Sequence, residues 1–596
     1  MAVSTLTRVP GVTPPSVRIR RCLDELYPPD VAARTYRHLE LEIEEFLARG
    51  RHATRSALFD ETDVVLITYA DQIREPGQTP LATLHEFLCA HMRGAISGVH
   101  VLPFHPYSSD DGFSVIDYRL VDPALGRWPD VGAIARDFRL MVDAVFNHVS
   151  VRGSWFNEWL AGHPSRRGFF HVVDPTVDLS AVTRPRTSPL LTPVLTPDGP
   201  VHLWTTFSAD QIDLNYANPQ VLLASVQALL DFVECGAGII RLDAVAFLWK
   251  QIGTSCVHLP QTHAIVRLWR AVLDAAAPGT LVLTETNVPH QENLSYFGDG
   301  TDEAHLVYQF ALPPLILSAF HLADASTLRE WAAGLRAPSD QTTFFNFLGS
   351  HDGIGVRPVE GILTGAEIEQ LCALATAHGG GVSYRATPDG GLRPYELNTV
   401  YFDALTEAHS VESQDRQVDR FVCAHSVLLA LAGIPAIYVH SLLGSRNWTE
   451  GVTATGRLRS INRQKLDRAE LEAELADPSS LRYQVCSRLL DRIRVRIAEP
   501  AFHPNGPQAV VGVGDSLFTI QRTSPDGSSR VLCVHNLSGR PQRLVAGPAQ
   551  GVSLRGGGVL DDLCTPGGTV EVSPDGLLEA DLPPYGVRWL RERPPT

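Results

Sequence analysis

Eight short apolar runs, separated by stretches with helical periodicity, are the feature that most constrains the fold of this chain. The runs occupy residues 64–69, 98–103, 140–147, 238–243, 281–285, 306–310, 344–351 and 434–439. Strands that alternate with helices along a chain lie parallel in one sheet. Eight such units therefore predict an α/β fold in which the sheet closes into a (β/α)8 barrel, the TIM barrel.

The remaining segments predict additions to this barrel. Two gaps between runs, at about 149–236 and 353–420, are too long for simple loops and predict insertion subdomains that wall the site. Residues 1–60 contain amphipathic helical spacing and predict an N-terminal helical extension. The catalytic barrel then spans 61–500, and short apolar runs among Gly- and Pro-rich turns in 501–596 predict a C-terminal β domain.

Composition excludes several classes of protein. A formal net charge of -16 without clustered basic residues argues against nucleic acid and anionic membranes as partners. No stretch approaches the roughly 20 apolar residues of a membrane helix, and the N-terminus does not resemble a secretory signal. The nine cysteines form no Cys-x-x-Cys pair, so we expect reduced thiols and a cytoplasmic protein. No metal-ligand spacing stands out, no cofactor is expected, and nothing indicates an oligomeric state.

Three acids follow predicted barrel strands, namely Asp243, Glu285 and Asp352. A single acid at a strand end is more often a helix cap than a catalytic group. However, the carboxyl ends of all barrel strands lie at one face of the barrel, and the catalytic residues of barrel enzymes lie at that face. Two carboxylates across a glycosidic bond are the minimal equipment for glycosyl transfer, and a third stabilises the positive charge of the transition state.

Four segments in order resemble the signature regions of the α-amylase superfamily, glycoside hydrolase family 13. They are DAVFNH at 143–148, RLDA at 241–244, Glu285 and His-Asp at 351–352. This family comprises retaining α-glucoside enzymes on a (β/α) barrel. The resemblance implies that Asp243 is the nucleophile, Glu285 the general acid/base and Asp352 the transition-state stabiliser. It also implies contacts to the glucosyl unit and the nucleophile from His148, Arg241 and His351.

Further segments resemble the sucrose phosphorylase group of that superfamily. They lie at 66–71, 99–104, 110–113, 184–186, 351–355 and 461–463, within a similarity that runs from about 64 to 470. In this group inorganic phosphate attacks a covalent glucosyl enzyme and yields α-glucose 1-phosphate with retention. The resemblance therefore implies an α-glucoside and phosphate as substrates, with no cofactor.

Individual positions match this group's substrate contacts. Asp110 and Arg463 match residues that hold the 4-hydroxyl side of the glucosyl unit, and Phe113 matches an aromatic wall of the same subsite. Arg186 matches a residue that approaches phosphate. Tyr395 matches a neighbour of the acceptor.

Two departures bear on the acceptor. Thr183 stands where sucrose-cleaving relatives carry a tyrosine, and Arg393 stands near a position where they carry an acid. A guanidinium forms paired hydrogen bonds with a carboxylate, so Arg393 favours an anionic acceptor. Together with the N-terminal extension, these departures resemble the glucosylglycerate phosphorylases of this group. That resemblance implies phosphorolysis of 2-O-α-glucosyl-D-glycerate with release of D-glycerate.

Other functions remain open at the level of sequence. Within the group, sucrose phosphorylase and glucosylglycerol phosphorylase are alternatives, and a hydrolase that uses water is another. A non-catalytic amylase-like binding protein belongs to a different class, but such proteins usually lose part of the acid set, which is complete here. Asn147 by itself does not predict the calcium that some amylases bind.

Overall fold

The computed structural model describes residues 13–50, 57–387, 391–407 and 410–593. The strands are β1 Val65–Thr68, β2 Ile73–Arg74, β3 Gly98–Val101, β4 Arg139–Ala144, β5 His148–Ser150, β6 Leu191–Thr196, β7 Gly199–Trp204, β8 Gln211–Asp213, β9 Ala237–Leu242, β10 Leu281–Thr284, β11 Leu306–Tyr308, β12 Thr343–Asn346, β13 Ile354–Gly355, β14 Gly381–Ala386, β15 Leu392–Asn398, β16 Ile434–Tyr438, β17 Leu466–Asp467, β18 Gln508–Val511, β19 Leu517–Thr523, β20 Arg530–Asn536, β21 Gln542–Ala546, β22 Val559–Asp562, β23 Thr569–Glu571, β24 Leu578–Leu582 and β25 Val587–Glu592. The helices are α1 Pro15–Leu26, α2 Pro29–Ala48, α3 Pro80–His91, α4 Trp128–Asp137, α5 Ser154–Leu160, α6 Pro219–Glu234, α7 Pro260–Ala276, α8 His290–Leu294, α9 Leu312–Leu322, α10 Ser326–Gly334, α11 Gly365–Ala377, α12 Tyr401–Leu405, α13 Gln414–Ala430, α14 Val439–Leu442, α15 Thr449–Thr455, α16 Arg468–Ala476 and α17 Leu481–Ile497. Within these ranges, no helix has the length and apolar character needed to cross a bilayer.

Eight parallel strands close into a barrel in the order β1, β16, β12, β11, β10, β9, β4 and β3, and β3 pairs again with β1. Each of the eight apolar runs in the sequence supplies one of these strands, so the predicted (β/α)8 barrel is confirmed. All four residues of β1, β3, β10 and β12 are buried. Burial on both faces explains why these strands appear in the sequence as continuous apolar runs.

Two amphipathic helices precede the barrel. Both begin with proline in the first turn, where a missing N–H costs no hydrogen bond. Helix α1 packs against α7, and α2 packs against α6. Their apolar stripes, which include Leu23 and Leu39, are buried there.

The segment between β4 and β9 folds as two small antiparallel pairs followed by a helix. Strand β5 pairs with β8, and β6 forms a hairpin with β7. Helix α6 follows, and the Asn218 side chain caps it by accepting a hydrogen bond from the Gln220 N–H. Most of α6 is buried apolar surface, and it contacts β9. This helix belongs to the outer ring of the barrel, so the irregular part of the segment ends before residue 219.

The segment between β12 and β16 holds a three-stranded sheet in the order β13, β15, β14, with α11 packed on it. Gly353 allows β13 to approach β15, because a Cβ at this position would lie 2.8 Å from the Cβ of Glu396. The buried helix α13 then leads into β16, so the end of the predicted 353–420 insertion also belongs to the barrel ring.

After α17 the chain forms a six-stranded sheet in the order β18, β19, β20, β25, β22, β23 and a separate ribbon of β21 with β24. Antiparallel pairing joins these strands. The short apolar runs that the sequence shows in this region, at 509–513, 517–521, 531–536, 542–545 and 586–590, correspond to β18, β19, β20, β21 and β25. Strands β22 to β24 were not expected, because their short Asp- and Glu-containing stretches lack a clear apolar alternation.

Candidate active site

The three strand-end acids line one pocket at the carboxyl end of the barrel. Asp243 and Glu285 directly follow the neighbouring strands β9 and β10, and Asp352 follows β12. Ala244 adopts a left-handed backbone conformation with φ of 50°, which turns the chain sharply after Asp243. The Ala244 N–H then donates to Glu285 Oε2 at 3.0 Å. Such conformations are costly for residues with a side chain and concentrate at functional sites.

Arg241, on β9 two residues before Asp243, fixes the Asp243 carboxylate. Its Nη1 donates to Asp243 Oδ1 at 2.9 Å and also to Asp143 Oδ1. Asp143 is held from its other side by His100 Nε2, at 2.7 Å from Oδ2. One buried guanidinium is therefore shared by the buried Asp143 carboxylate and the partly exposed Asp243 carboxylate, and a histidine anchors Asp143.

Burial disfavours the ionised forms of both Asp243 and Glu285. Burial raises the pKa of each to about 7, and the Arg241 guanidinium offsets part of this increase for both. The two groups differ in their donors: Asp243 accepts from Arg241, whereas Glu285 accepts from the Ala244 backbone. Two interacting carboxyls with raised pKa values hold one proton between them near neutral pH. Of the two, Asp243 contacts the guanidinium directly and Glu285 accepts from a neutral N–H, so this geometry favours the ionised form of Asp243 over that of Glu285.

Asp352 stays ionised. Burial alone would raise its pKa, but nearby guanidinium groups, that of Arg459 first, hold the pKa well below the usual range. Arg459 Nη1 lies 2.5 Å from Asp352 Oδ1. The rest of the Arg459 fork is bound by Glu396, at 2.6 Å from Nη2 and 3.1 Å from Nε. Glu396 therefore fixes the guanidinium that neutralises Asp352.

Two neutral histidines and a phenylalanine form a wall beside these acids. The rings of Phe113 and His351 stack with centroids 4.9 Å apart. His148 Nε2 lies 2.8 Å from the Phe113 carbonyl oxygen, to which it donates as a neutral imidazole. Burial lowers the pKa of His148 and lowers that of His351 to about 3, so both rings stay uncharged.

Asp110 and Asp111 have consecutive left-handed conformations, with φ of 53° and 49°. Asp110 lines the pocket, while Asp111 Oδ2 pairs with Arg463 Nη1 at 2.5 Å. Burial would raise the pKa of Asp110, but Arg459 and Arg463 lower it, so this carboxylate is charged. Arg463 also donates from Nε to the His351 carbonyl oxygen at 2.8 Å. We call this side of the pocket the carboxylate half; it comprises Asp110, Phe113, His148, Asp243, Glu285, His351 and Asp352.

A second part of the lining, which we call the arginine half, comprises Arg186, Phe207, Asn287, Arg357 and Tyr395. The Arg186 guanidinium lies over the rings of Phe207 and Tyr395, at 5.8 and 5.3 Å from their centroids. Arg357 Nε is buried and, among the described residues, has no hydrogen-bond partner. Its nearest carboxylate contact in this part of the chain is 4.0 Å, from Nη2 to Glu292 Oε2. Burial lowers the pKa of Arg357, and Arg385 adds to this effect.

Comparison with known proteins places the chain in a family. The model of the α-amylase catalytic domain matches residues 95–358. Glucosylglycerate phosphorylase from Allomeiothermus silvanus is 52% identical over 84% of this chain and 89% of its own length. The enzyme of that name from Spirochaeta thermophila is 49% identical, covering 89% and 91%, and sucrose phosphorylase from Agrobacterium vitis is 32% identical, covering 74% and 89%. The chain belongs to the sucrose phosphorylase group of the α-amylase superfamily. A solved structure of sucrose 6F-phosphate phosphorylase from Thermoanaerobacter thermosaccharolyticum superimposes with a TM-score of 0.70 and 26% identity, covering 80% of this chain and 94% of that one.

Membership of the sucrose phosphorylase group confirms the resemblance seen in the sequence. It also shows that the chain is an enzyme of the glycosyl-transferring type. The alternative of a non-catalytic amylase-like binding protein is therefore wrong. The complete set of Asp243, Glu285 and Asp352 in one pocket is consistent with this class.

The structure brings most of the predicted site residues together. Nine of them line the pocket: Asp110, Phe113, His148, Arg186, Asp243, Glu285, His351, Asp352 and Tyr395. Arg241 and Arg463 lie directly behind this lining and contact Asp243 and the His351 backbone. Arg393 does not line the pocket, and its side chain is exposed. The cause is the hairpin of β14 with β15, whose register shifts between Ser383 and Tyr384 and leaves Arg393 near its outer end.

Sequence reasoning missed several pocket residues, among them Phe207, Arg357, Glu396 and Arg459. Arg459 lies four residues before Arg463 in the short 3-10 segment Leu458–Asn462, and helical spacing from Arg463 could have found it. Glu396 directly follows Tyr395, but its inward direction depends on the bulge in this hairpin. Arg357 follows β13 in a short 3-10 turn that has no sequence periodicity.

The oxygen atoms beside Asn147 are bound by a lysine. Lys250 Nζ lies 2.6 Å from Asp213 Oδ2 and 2.9 Å from Asn147 Oδ1, and it also donates to the Phe247 carbonyl oxygen. This ammonium joins the end of β4, the strand β8 and the loop after Asp243. The set does not fit calcium, because a cationic side chain already lies among the oxygens that would bind the ion.

Proposed function

We propose that this enzyme cleaves 2-O-α-glucosyl-D-glycerate with inorganic phosphate and releases α-glucose 1-phosphate and D-glycerate. The observation that carries this proposal is the contrast within one pocket between an α-glucoside carboxylate set and an incompletely paired guanidinium, Arg357. The names of the relatives at 52% and 49% identity support it, whereas the sucrose phosphorylase relative is 32% identical.

In the first step, the Asp243 carboxylate attacks the anomeric carbon while the glycosidic C–O bond breaks. Arg241 orients the attacking carboxylate, and its pairing with Asp143 prevents it from reorienting. Glu285 gives its proton to the departing 2-oxygen of glycerate. The ionised Asp352 stabilises the positive charge that develops on the sugar. The products of this step are a β-glucosyl ester on Asp243, free glycerate and an ionised Glu285.

In the second step, an oxygen of phosphate attacks the anomeric carbon and the ester bond to Asp243 breaks. The hydroxyl proton of the attacking oxygen passes to Glu285, which restores the acid for the next cycle. Two inversions at the same carbon leave the α configuration unchanged, so the mechanism is retaining.

The arginine half would bind the two anions in turn. A planar guanidinium matches both the carboxylate of glycerate and the oxygens of phosphate. The Arg186 guanidinium lies over the rings of Phe207 and Tyr395, and its Nη1 donates to the Pro185 carbonyl oxygen at 3.4 Å. Arg357 carries a buried N–H without a partner in the described structure, and a bound carboxylate would satisfy it.

An acceptor panel tests this function. The enzyme is incubated with α-glucose 1-phosphate and, separately, D-glycerate, fructose or glycerol, and phosphate release is measured. We expect efficient release with D-glycerate alone. Efficient transfer to fructose without transfer to glycerate would refute the glycerate assignment, and glucoside cleavage at equal rates with and without phosphate would refute phosphorolysis.

The nine cysteines, all free thiols, further support a cytoplasmic location.

A further inference from the structure

A cluster of three potential metal ligands lies on the outside of the barrel, and none of the three lines the pocket. His85 and Cys89 are four residues apart on α3 and therefore share one face of the helix. Asp137, the last residue of α4, faces them. His85 Nε2 lies 2.8 Å from Asp137 Oδ2 and 3.4 Å from Cys89 Sγ, and Sγ lies 3.8 Å from the same Oδ2. The three potential ligand atoms thus form a small triangle.

The dimensions of this triangle suit a tetrahedral ion. Zinc bonds to imidazole nitrogen, thiolate sulfur and carboxylate oxygen imply separations of about 3.3–3.6 Å between ligand atoms. The observed sides differ from these values by roughly half an ångström or less, within the reach of small side-chain rotations. His85 and Asp137 expose 23% and 32% of their side chains, so an ion can enter from solvent and keep a water ligand.

The donor set also selects the class of metal. A thiolate and an imidazole suit zinc and cobalt, whereas calcium and magnesium require oxygen ligands. The thiolate and carboxylate charges would neutralise a divalent cation. Arg93 Nη2 donates to the other Asp137 oxygen, Oδ1, at 2.6 Å, and this contact orients Oδ2 towards His85 and Cys89. The same Nη2 also contacts Cys89 Sγ at 3.5 Å. Because 62% of the Arg93 side chain is exposed, its guanidinium can move away from Sγ when an ion binds, which the buried Lys250 ammonium cannot do.

We propose that His85, Cys89 and Asp137 form a zinc site that links α3 to α4. The alternative is an ordinary surface network in which His85 and Arg93 pair with Asp137. None of the three ligands lines the catalytic pocket, so the bound ion would stabilise the barrel's outer helices without entering the reaction. The i, i+4 spacing of His85 and Cys89 is the sequence signal for this site, which differs from the expectation of no metal.

Cobalt titration of the full-length, reduced and untagged chain tests the site directly. We expect a thiolate-to-cobalt charge-transfer absorption that saturates at one equivalent per chain and is displaced by Zn²⁺. Cys89→Ser should abolish the absorption, and His85→Ala should weaken cobalt binding by at least about tenfold. Absence of the absorption in the unmodified chain, or its persistence in Cys89→Ser, would overturn the proposal.

Two matched variants control for nonspecific effects. Cys372→Ser removes another half-buried thiol, and His91→Ala removes another histidine of α3. Both should bind cobalt as the unmodified chain does; equal weakening in His91→Ala and His85→Ala would contradict the assigned ligands. Added Zn²⁺ should raise the melting temperature of the unmodified chain and both controls but not that of Cys89→Ser, and a rise in Cys89→Ser would also contradict the site.

Discussion

The two halves of the pocket differ in how their charges are neutralised. In the carboxylate half, Asp243 and Asp352 each contact a guanidinium through a short ion pair. In the arginine half, Arg186 is held by aromatic rings, and Arg357 Nε has no partner among the described residues. Asp243 and Asp352 are therefore ion-paired before substrate arrives, whereas a bound anion would pair with Arg357.

This difference corresponds to two kinds of task. The glucosyl unit is uncharged, and the enzyme must stabilise a transient positive charge with fixed groups that do not reorganise. The acceptor side must bind glycerate and phosphate alternately, which requires donors that are free between the two events. Substitutions in the carboxylate half should therefore lower the reaction rate with every substrate. Substitutions in the arginine half should lower the rate with anionic acceptors and leave the rate with neutral acceptors little changed.

The largest effect is expected for Asp243→Asn. The amide cannot form the covalent ester, so phosphorolysis should fall by at least about 10⁴-fold. Initial rates of α-glucose 1-phosphate formation measure this, with circular dichroism to verify folding. Residual activity above about one hundredth of the unmodified rate would contradict the nucleophile assignment.

Glu285→Ala is expected to have the next largest effect, about 10²–10⁴-fold with glucosylglycerate, because the departing oxygen then lacks a proton donor. With α-glucosyl fluoride, whose leaving group needs little protonation, the loss should be much smaller. Comparable losses with both donors would show that Glu285 is not the acid.

The pH dependence sharpens the same assignment. The pKa of Glu285 is raised to about 7, so its acid form is lost as pH rises through that value. We therefore expect kcat/KM for glucosylglycerate to decline above about pH 7. This alkaline decline should be absent in Glu285→Ala with α-glucosyl fluoride; its persistence would assign the decline to another group.

Arg357→Ala should have a smaller and selective effect. Loss of a charge-assisted hydrogen bond should lower kcat/KM for D-glycerate by about 10- to 100-fold. Transfer to glycerol, which has no carboxylate, should change little. Phosphate release from α-glucose 1-phosphate measures both, and an equal loss with the two acceptors would contradict carboxylate recognition.

Arg393→Ala should have the smallest effect, within about twofold for every acceptor, because its side chain is exposed outside the pocket. It also serves as the matched control for Arg357→Ala. If Arg393→Ala instead selectively lowers kcat/KM for D-glycerate, the sequence-based assignment of the acceptor contact holds, and the hairpin of β14 and β15 must approach the pocket during turnover.

The contrast between Arg393 and Arg357 also shows the limit of sequence reasoning here. The barrel strands and their terminal acids were predictable because apolar runs and strand ends have a fixed geometric relation. Arg357 and Glu396 lie in an insertion whose turns and bulge carry no such relation, so their direction could not be read from spacing. The acids of the carboxylate half could be predicted because barrel strands position them, whereas Arg357 in the arginine half could not, because an insertion positions it.

The Lys250 ammonium among Asp213 and Asn147 has a consequence for how the insertion is retained. A dissociable ion would occupy such a junction according to its concentration in the medium. A cation carried on the chain itself is present once in every molecule and cannot be removed by a chelator. The contact between the first insertion and the barrel should therefore be the same in calcium-poor and calcium-rich surroundings.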